Sequence, residues 1–132
     1  MEETCNIIER VLVLHESAEQ PTPTSIEQLG GGWIAEEALA IGLWCALAAD
    51  SLESGVIAAV NHSGDSDSTG LIAGHSLGLI HGPDAIPQRW LEHLELRDVI
   101  EEMALDIIQV PEQYHSDESA IAEAVWQRYP GW

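Results

Sequence analysis

The stretch that decides the fold is Leu29-Gly30-Gly31-Gly32-Trp33-Ile34-Ala35-Glu36-Glu37-Ala38-Leu39-Ala40-Ile41-Gly42-Leu43-Trp44-Cys45-Ala46-Leu47-Ala48-Ala49. Three glycines break whatever precedes them. From Trp33 to Ala49 the chain is then almost entirely Ala, Leu and Ile, with Glu36 and Glu37 its only charges. A helix that is apolar nearly all round has no face to give to water, so it belongs at the centre of a packed domain.

Outward from this helix the pattern stays helical on both sides. Upstream, Ile7, Ile8, Val11, Leu12 and Leu14 recur at helical spacing from Glu2 to about Glu19, and Pro21 and Pro23 end that pattern. Thr24-Ser25-Ile26-Glu27 reads as a capping box that starts a brief turn to Leu29. Downstream, Asp50 and Ser51 separate the central helix from another at Leu52 to Val60. Asn61-His62-Ser63-Gly64 closes that one with residue types that tolerate positive φ. The next helix starts at Asp65-Ser66-Asp67-Ser68-Thr69-Gly70. It carries Gly70, Gly74 and Gly78 at intervals of four, a spacing that predicts bare backbone along one face and a closely approaching neighbour helix.

After Gly82-Pro83-Asp84 and Pro87, helices are expected around Gln88 to Leu94 and Leu96 to Ile108, the second ended by Pro111. Ser116-Asp117-Glu118-Ser119 caps a closing helix through Trp126, before Tyr129-Pro130-Gly131-Trp132. No stretch reads as a strand and no segment repeats. The expected architecture is all-α, a compact multi-helix bundle forming a single domain over residues 1–132.

Composition narrows the partners. The 132 residues hold 23 acidic side chains against four basic ones (Arg10, Arg89, Arg97 and Arg128) and no lysine, for a formal charge of −19. Such a surface repels phosphate backbones and anionic lipid and favours divalent cations or basic partners, so neither nucleic acid nor a membrane surface is expected. No apolar run approaches the roughly 18 residues of a spanning helix and no basic leader opens the chain, so the expected location is the cytoplasm. Cys5 and Cys45 both fall in apolar helical patterns and read as small buried hydrophobes rather than a disulfide.

Chemistry concentrates at Gly64-Asp65-Ser66-Asp67-Ser68-Thr69-Gly70, where two carboxylates and three hydroxyls occupy five consecutive positions at a helix amino terminus. One reading is capping: Asp65 or Asp67 satisfies backbone donors and complements the helix dipole, for about 0.3–2 kcal/mol. The other is a hard-cation site, because carboxylate and hydroxyl oxygens two residues apart suit a magnesium ion that keeps several waters. His62, His75 and His81 lack the i, i+4 spacing of a zinc helix and read as structural or surface residues. Nothing resembles a nucleophile elbow or a Cys-His pair. The glycine run follows no strand, as a phosphate-binding loop would.

The segments Leu29 to Ala40 and Ala59-Val60-Asn61-His62-Ser63-Gly64-Asp65-Ser66-Asp67-Ser68-Thr69-Gly70 resemble, in this order, the closing motifs of the ADP-ribosylglycohydrolase family, which includes the dinitrogenase reductase-activating glycohydrolases. Ala85-Ile86-Pro87-Gln88-Arg89-Trp90-Leu91 and Arg128-Tyr129-Pro130-Gly131-Trp132 look similar to bacterial members, so the resemblance runs from about Ile26 to the last residue. It implies an all-helical fold equivalent to the carboxy-terminal half of such an enzyme. It also implies one or two Mg2+ ions as cofactor, with Asp65, Asp67 and Ser68 as metal ligands; Ser68 stands where many members have threonine. The implied ligand is ADP-ribose or an ADP-ribosylated protein.

The chain also departs from that pattern. Family enzymes are longer, and their amino-terminal part supplies a Thr-Asp-Asp ligand set and an acidic residue near the scissile bond. No Thr-Asp-Asp tripeptide occurs here, and no residue of this chain is assigned as catalytic. Three readings follow. The chain is a magnesium-dependent hydrolase of ADP-ribose linkages once a homo-oligomer or complementary chain completes it. Alternatively it is an inactive acidic binding module, or an inhibitor or immunity-type partner of an ADP-ribosyltransferase. Or it is a truncated piece of a longer parent. With its covering helices missing, the apolar helix from Trp33 to Ala49 is expected to keep part of its surface uncovered.

Overall fold

A computed structural model of the chain describes residues 2–114, 123 and 126–129, and among them every regular element is helical. In order they are α1 (Glu2–Glu16), α2 (Pro23–Ile26) with a 3₁₀ turn over Glu27–Leu29, α3 (Ala35–Leu47), α4 (Leu52–Val60), α5 (Ser66–His81) with a 3₁₀ turn over Pro83–Ala85, α6 (Gln88–Leu91) and α7 (Arg97–Tyr114). Contacts group the chain into two units, Met1–Gln88 and Arg89–Trp132.

In the first unit α3 is the hub. Ala38, Ala40, Ile41, Gly42, Trp44, Cys45 and Ala46 are buried, seven of its thirteen residues. The other helices pack around it: α1 and α5 lie against α3, and α4 lies against both α3 and α5. The core is completed by Val11 of α1, Ile26 and Leu29 of the linker turn, Leu52 and Ala59 of α4, and Ala73 and Leu77 of α5. Trp44 is the largest fully buried side chain. Removing a ring of that size from a packed core costs about 3–5 kcal/mol.

Several local expectations are revised. α1 ends at Glu16 rather than near Glu19: the Ser17 hydroxyl turns back to the Leu14 carbonyl at 2.8 Å, and Ala18 takes a left-handed φ of 55°. The capping box lies two residues earlier than Thr24. Thr22 Oγ accepts from the Ser25 amide at 3.2 Å and Ser25 Oγ accepts from the Thr22 amide at 2.9 Å, because Pro23 at the first helical position fixes φ and has no amide to leave unpaired. Cys45 is buried, as its pattern implies, and burial pushes its thiol up to about 12. Cys5 is exposed and both cysteines are free.

The glycine pattern also resolves differently. The close helix approaches are made by Gly42 and Gly55, not by the Gly74 and Gly78 pair. A Cβ on Gly42 would lie 2.7 Å from Ile72 and 3.1 Å from the Thr69 carbonyl, and one on Gly55 would meet Leu77 and the Cys45 carbonyl. On α5, Gly70 is approached by Val60, whereas a Cβ at Gly74 or Gly78 would meet nothing within 4 Å. Trp33 and Ile34, at the entrance to α3, are exposed, so the Trp33–Ala49 stretch does keep part of its apolar surface uncovered; on α5, Leu71 and Leu79 are exposed beside those glycines.

In the second unit α7 runs on through Pro111 to Tyr114; proline's fixed φ is a helical value, so its cost there is a lost amide and ring crowding rather than an impossible backbone. Asp106 binds Arg128 Nη1 at 2.6 Å and the Tyr129 hydroxyl at 2.7 Å. The Arg128 hydrogen bond, followed by that of Tyr129, holds the Asp106 carboxyl below its ordinary range. That contribution is present above the ordinary aspartate range and is lost as pH falls through the lowered one. The closing helix expected from Ser116 and the Pro130-Gly131-Trp132 end lie outside the described residues, apart from Glu123 and the helical positions 126–128.

Two glycine substitutions test this packing in opposite directions. Gly42→Ala should destabilise the chain by about 1–3 kcal/mol through overpacking. Gly74→Ala, with open space for its methyl, should stabilise it by about 0.5–1 kcal/mol through helix propensity. Denaturant midpoints of the two variants read the difference.

Candidate metal site

Asp65, Asp67 and Ser68 stand at the start of α5, and two other segments determine how that start is held. Asp65 is the N-cap residue, with φ −77° and ψ 77°, and its side chain makes no capping hydrogen bond. Asp67 Oδ1 accepts from the Ser68 amide at 3.0 Å. The Asp65 carboxyl is held below its ordinary range, first by hydrogen bonding with the Asp67 side chain, then by the Ser68 hydroxyl, with Ser68's amide and His62 adding to it. Asp65, Asp67 and Ser68 thus share the start of α5. Among the described residues no group of three or more His, Cys, Asp or Glu converges in a way that could hold a metal.

The first segment supporting the cluster is the loop from Asn61 to Gly64. Thr69, fully buried, is its anchor: its hydroxyl lies 2.7 Å from the Ala59 carbonyl and 3.0 Å from His62 Nε2. The Gly64 amide donates to His62 Nδ1 at 3.1 Å. Nδ1 therefore carries a lone pair and Nε2 the proton, which it gives to Thr69 Oγ, while Thr69 gives its own proton to Ala59. His62 is thus a structural histidine, whereas His75 and His81 are exposed on α5.

The second segment is the glycine run. The Asp65 amide donates to the Gly31 carbonyl at 2.7 Å. Gly64 has an ordinary φ; glycine is needed there because a Cβ would collide with the Gly31 carbonyl. Gly32, at φ 77°, sits where a Cβ would be 2.9 Å from the Thr69 methyl and 3.6 Å from Asp65 Cβ. Glu37, in the first turn of α3, closes the arrangement: its Oε2 accepts from the Gly31 amide at 3.0 Å and the Gly32 amide at 3.1 Å. The run that resembles no phosphate cradle is a nest for this chain's own carboxylate. Sequence reasoning passed over Glu37. The available signal was an acid in the first turn of the helix that follows three consecutive glycine amides.

The donor set suits a hard cation. Magnesium is commonly held by one or two carboxylates, with water and substrate oxygens completing its shell, and Asp65, Asp67 and Ser68 offer oxygen donors only. A cleft of about 640 Å3 lies elsewhere, between Pro21 and Pro23 of the linker and Ser51, Ile57 and Asn61 of α4, and none of the three residues lines it.

An all-helical chain, with an acidic helix start docked on a glycine turn, belongs to a recognisable class. Residues 2–117 match the model of the ADP-ribosylglycohydrolase family, and the chain is a member of that family. It is 29% identical over 106 residues to an uncharacterized protein of Archaeoglobus fulgidus, an alignment that covers 79% of this chain and 33% of that protein. It is 42% identical over 48 residues to the ADP-ribosyl-[dinitrogen reductase] glycohydrolase of Rhodospirillum rubrum, covering 36% of this chain and 16% of that protein. The match therefore spans a third or less of the length of either relative. No solved structure matches the chain.

Thr69→Val tests the anchor. It keeps the shape of the side chain but leaves the Ala59 carbonyl and His62 without their shared hydroxyl, and should cost about 1–3 kcal/mol in thermal or denaturant unfolding.

Proposed function

We propose that this chain is the metal-bearing part of an ADP-ribosyl glycohydrolase, in which Asp65, Asp67 and Ser68 ligate one or two magnesium ions and a second half, chain or copy completes the site. What supports this reading is that Asp65, Asp67 and Ser68 stand together at the start of α5, in a chain that belongs to a glycohydrolase family. Magnesium bound there would supply Lewis-acid stabilisation of charge and orientation of substrate oxygens. The protein's own contribution is to hold two carboxylates and a hydroxyl together at a helix start.

Completion from outside is supported by two features. The chain's match covers 33% of the archaeal relative, and no residue here is assigned as an acid or base at the scissile bond, although glycoside cleavage needs such groups positioned together. α5 also leaves Leu71, Gly74, Gly78 and Leu79 uncovered along its length, a face on which a further helix can seat closely. Where a cell expresses the chain is expected to be the cytoplasm, and its substrate to be an ADP-ribosylated protein or free ADP-ribosyl compound.

Isothermal titration with magnesium, paired with an assay for release of ADP-ribose from ADP-ribosylated arginine, tests the reading. Magnesium binding is expected in the wild type and should fall at least about tenfold in Asp67→Asn, since losing a charged ligand is worth more than the roughly 1.4 kcal/mol that tenfold represents. Turnover should require a complementary amino-terminal part. Absence of magnesium binding, or stable capture of an ADP-ribosyltransferase without turnover, would instead favour the acidic binding module.

A further inference from the structure

Glu37 is the acid that this reading leaves without a task. It sits in the first turn of α3, is partly buried, and spends one carboxylate oxygen on the amides of Gly31 and Gly32. An acid in the first helical turn ordinarily reaches back to its own N-cap, here Ile34. Glu37 reaches further, to a turn whose other face holds Asp65: the same Gly31 that gives its amide to Glu37 gives its carbonyl to the Asp65 amide at 2.7 Å.

We propose that Glu37 is a positioning residue for the metal cluster, acting on Asp65 through the Gly31 peptide. The proposal rests on Asp65 and Asp67 being the metal-binding acids, and it goes beyond that reading by naming what fixes their backbone. Two further contacts show that the connection has little slack. Gly30, at φ 123°, has no room for a Cβ because the Glu37 carboxylate occupies that space, and Gly64 has none because the Gly31 carbonyl does. The turn is thus pressed between a carboxylate on one side and the Asp65 loop on the other, and packed turns of this kind shift as units rather than deform gradually. Polarisation runs the same way. The peptide group between Gly31 and Gly32 has its N–H, that of Gly32, held by the Glu37 carboxylate, which makes its carbonyl, that of Gly31, a stronger acceptor for the Asp65 amide.

Amide hydrogen exchange on the full chain without metal, followed by manganese titration, tests this with Glu37→Ala and Glu37→Gln. Both variants lose the charge, so Coulomb attraction for the ion falls equally, but glutamine keeps a carbonyl oxygen to accept the two amides. Glu37→Ala should speed exchange at Gly31, Gly32 and Asp65 by about tenfold or more, the factor for losing a hydrogen bond to a charged acceptor, with amides at Ala73 and Leu77 unchanged. Glu37→Gln should restore most of that protection, and its manganese affinity should exceed that of Glu37→Ala. Should the alanine variant fail to fold, Glu37→Asp, which keeps the charge but withdraws it by one methylene, reads the same three amides. Unchanged exchange at Asp65, or acceleration spread evenly over all helices, overturns the proposal. A wild-type chain that ignores manganese while its Asp65 amide still answers to Glu37 removes the metal reading and leaves the positioning intact.

Discussion

Two backbone segments, Gly31 and Gly64-Asp65, touch directly with no side chain between them, and most of what distinguishes this fold follows from that contact. The approach is possible because Gly64 has no Cβ, which would collide with the Gly31 carbonyl. The bond from the Asp65 amide to the Gly31 carbonyl then ties the start of α5 to the turn that leads into α3. Because α3 is the buried hub, a cluster fixed to its entrance inherits the rigidity of the core. The helix-on-helix contacts at Gly42 and Gly55 continue the same principle deeper in the unit, bringing α5 and α4 close to their neighbours.

Much of this was legible in the sequence. The all-helical architecture followed from apolar periodicity, α4 from Leu52 to Val60 lies within the limits the pattern sets, and α3 is the buried centre that its lack of a polar face requires. The family, too, was legible in the ordered pair of segments around Gly30–Glu37 and Asn61–Gly70, and the match over residues 2–117 agrees. What the pattern did not convey is which glycines touch and what they touch. Spacing at intervals of four marked Gly70, Gly74 and Gly78, yet α5 turns Gly74 and Gly78 toward open space and meets Gly42 and Gly55 of its neighbours instead. Periodicity fixes which residues share a face, but not whether another element covers it. The capping box misplaced at Thr24 has a similar origin: Thr22 and Thr24 are equally good caps in isolation, and only the ring of Pro23 decides between them.

The candidate site was legible as a cluster of oxygens and not as a supported structure. Asp65, Asp67 and Ser68 advertise themselves by crowding into four positions. Glu37, His62 and Thr69 do not, because each acts through backbone groups of nearby loops and turns, and a hydrogen bond from a glycine amide to a carboxylate leaves no compositional trace. The start of α5 is therefore better described as three segments locked together than as a motif read along one of them.

The most direct test is an anomalous difference map from crystals of the chain grown with manganese as a magnesium substitute. The account predicts a peak bonded to oxygens of Asp65 and Asp67, with the Gly31–Asp65 hydrogen bond intact beside it. A well-ordered helix end with that bond in place and no peak against either carboxylate would contradict it.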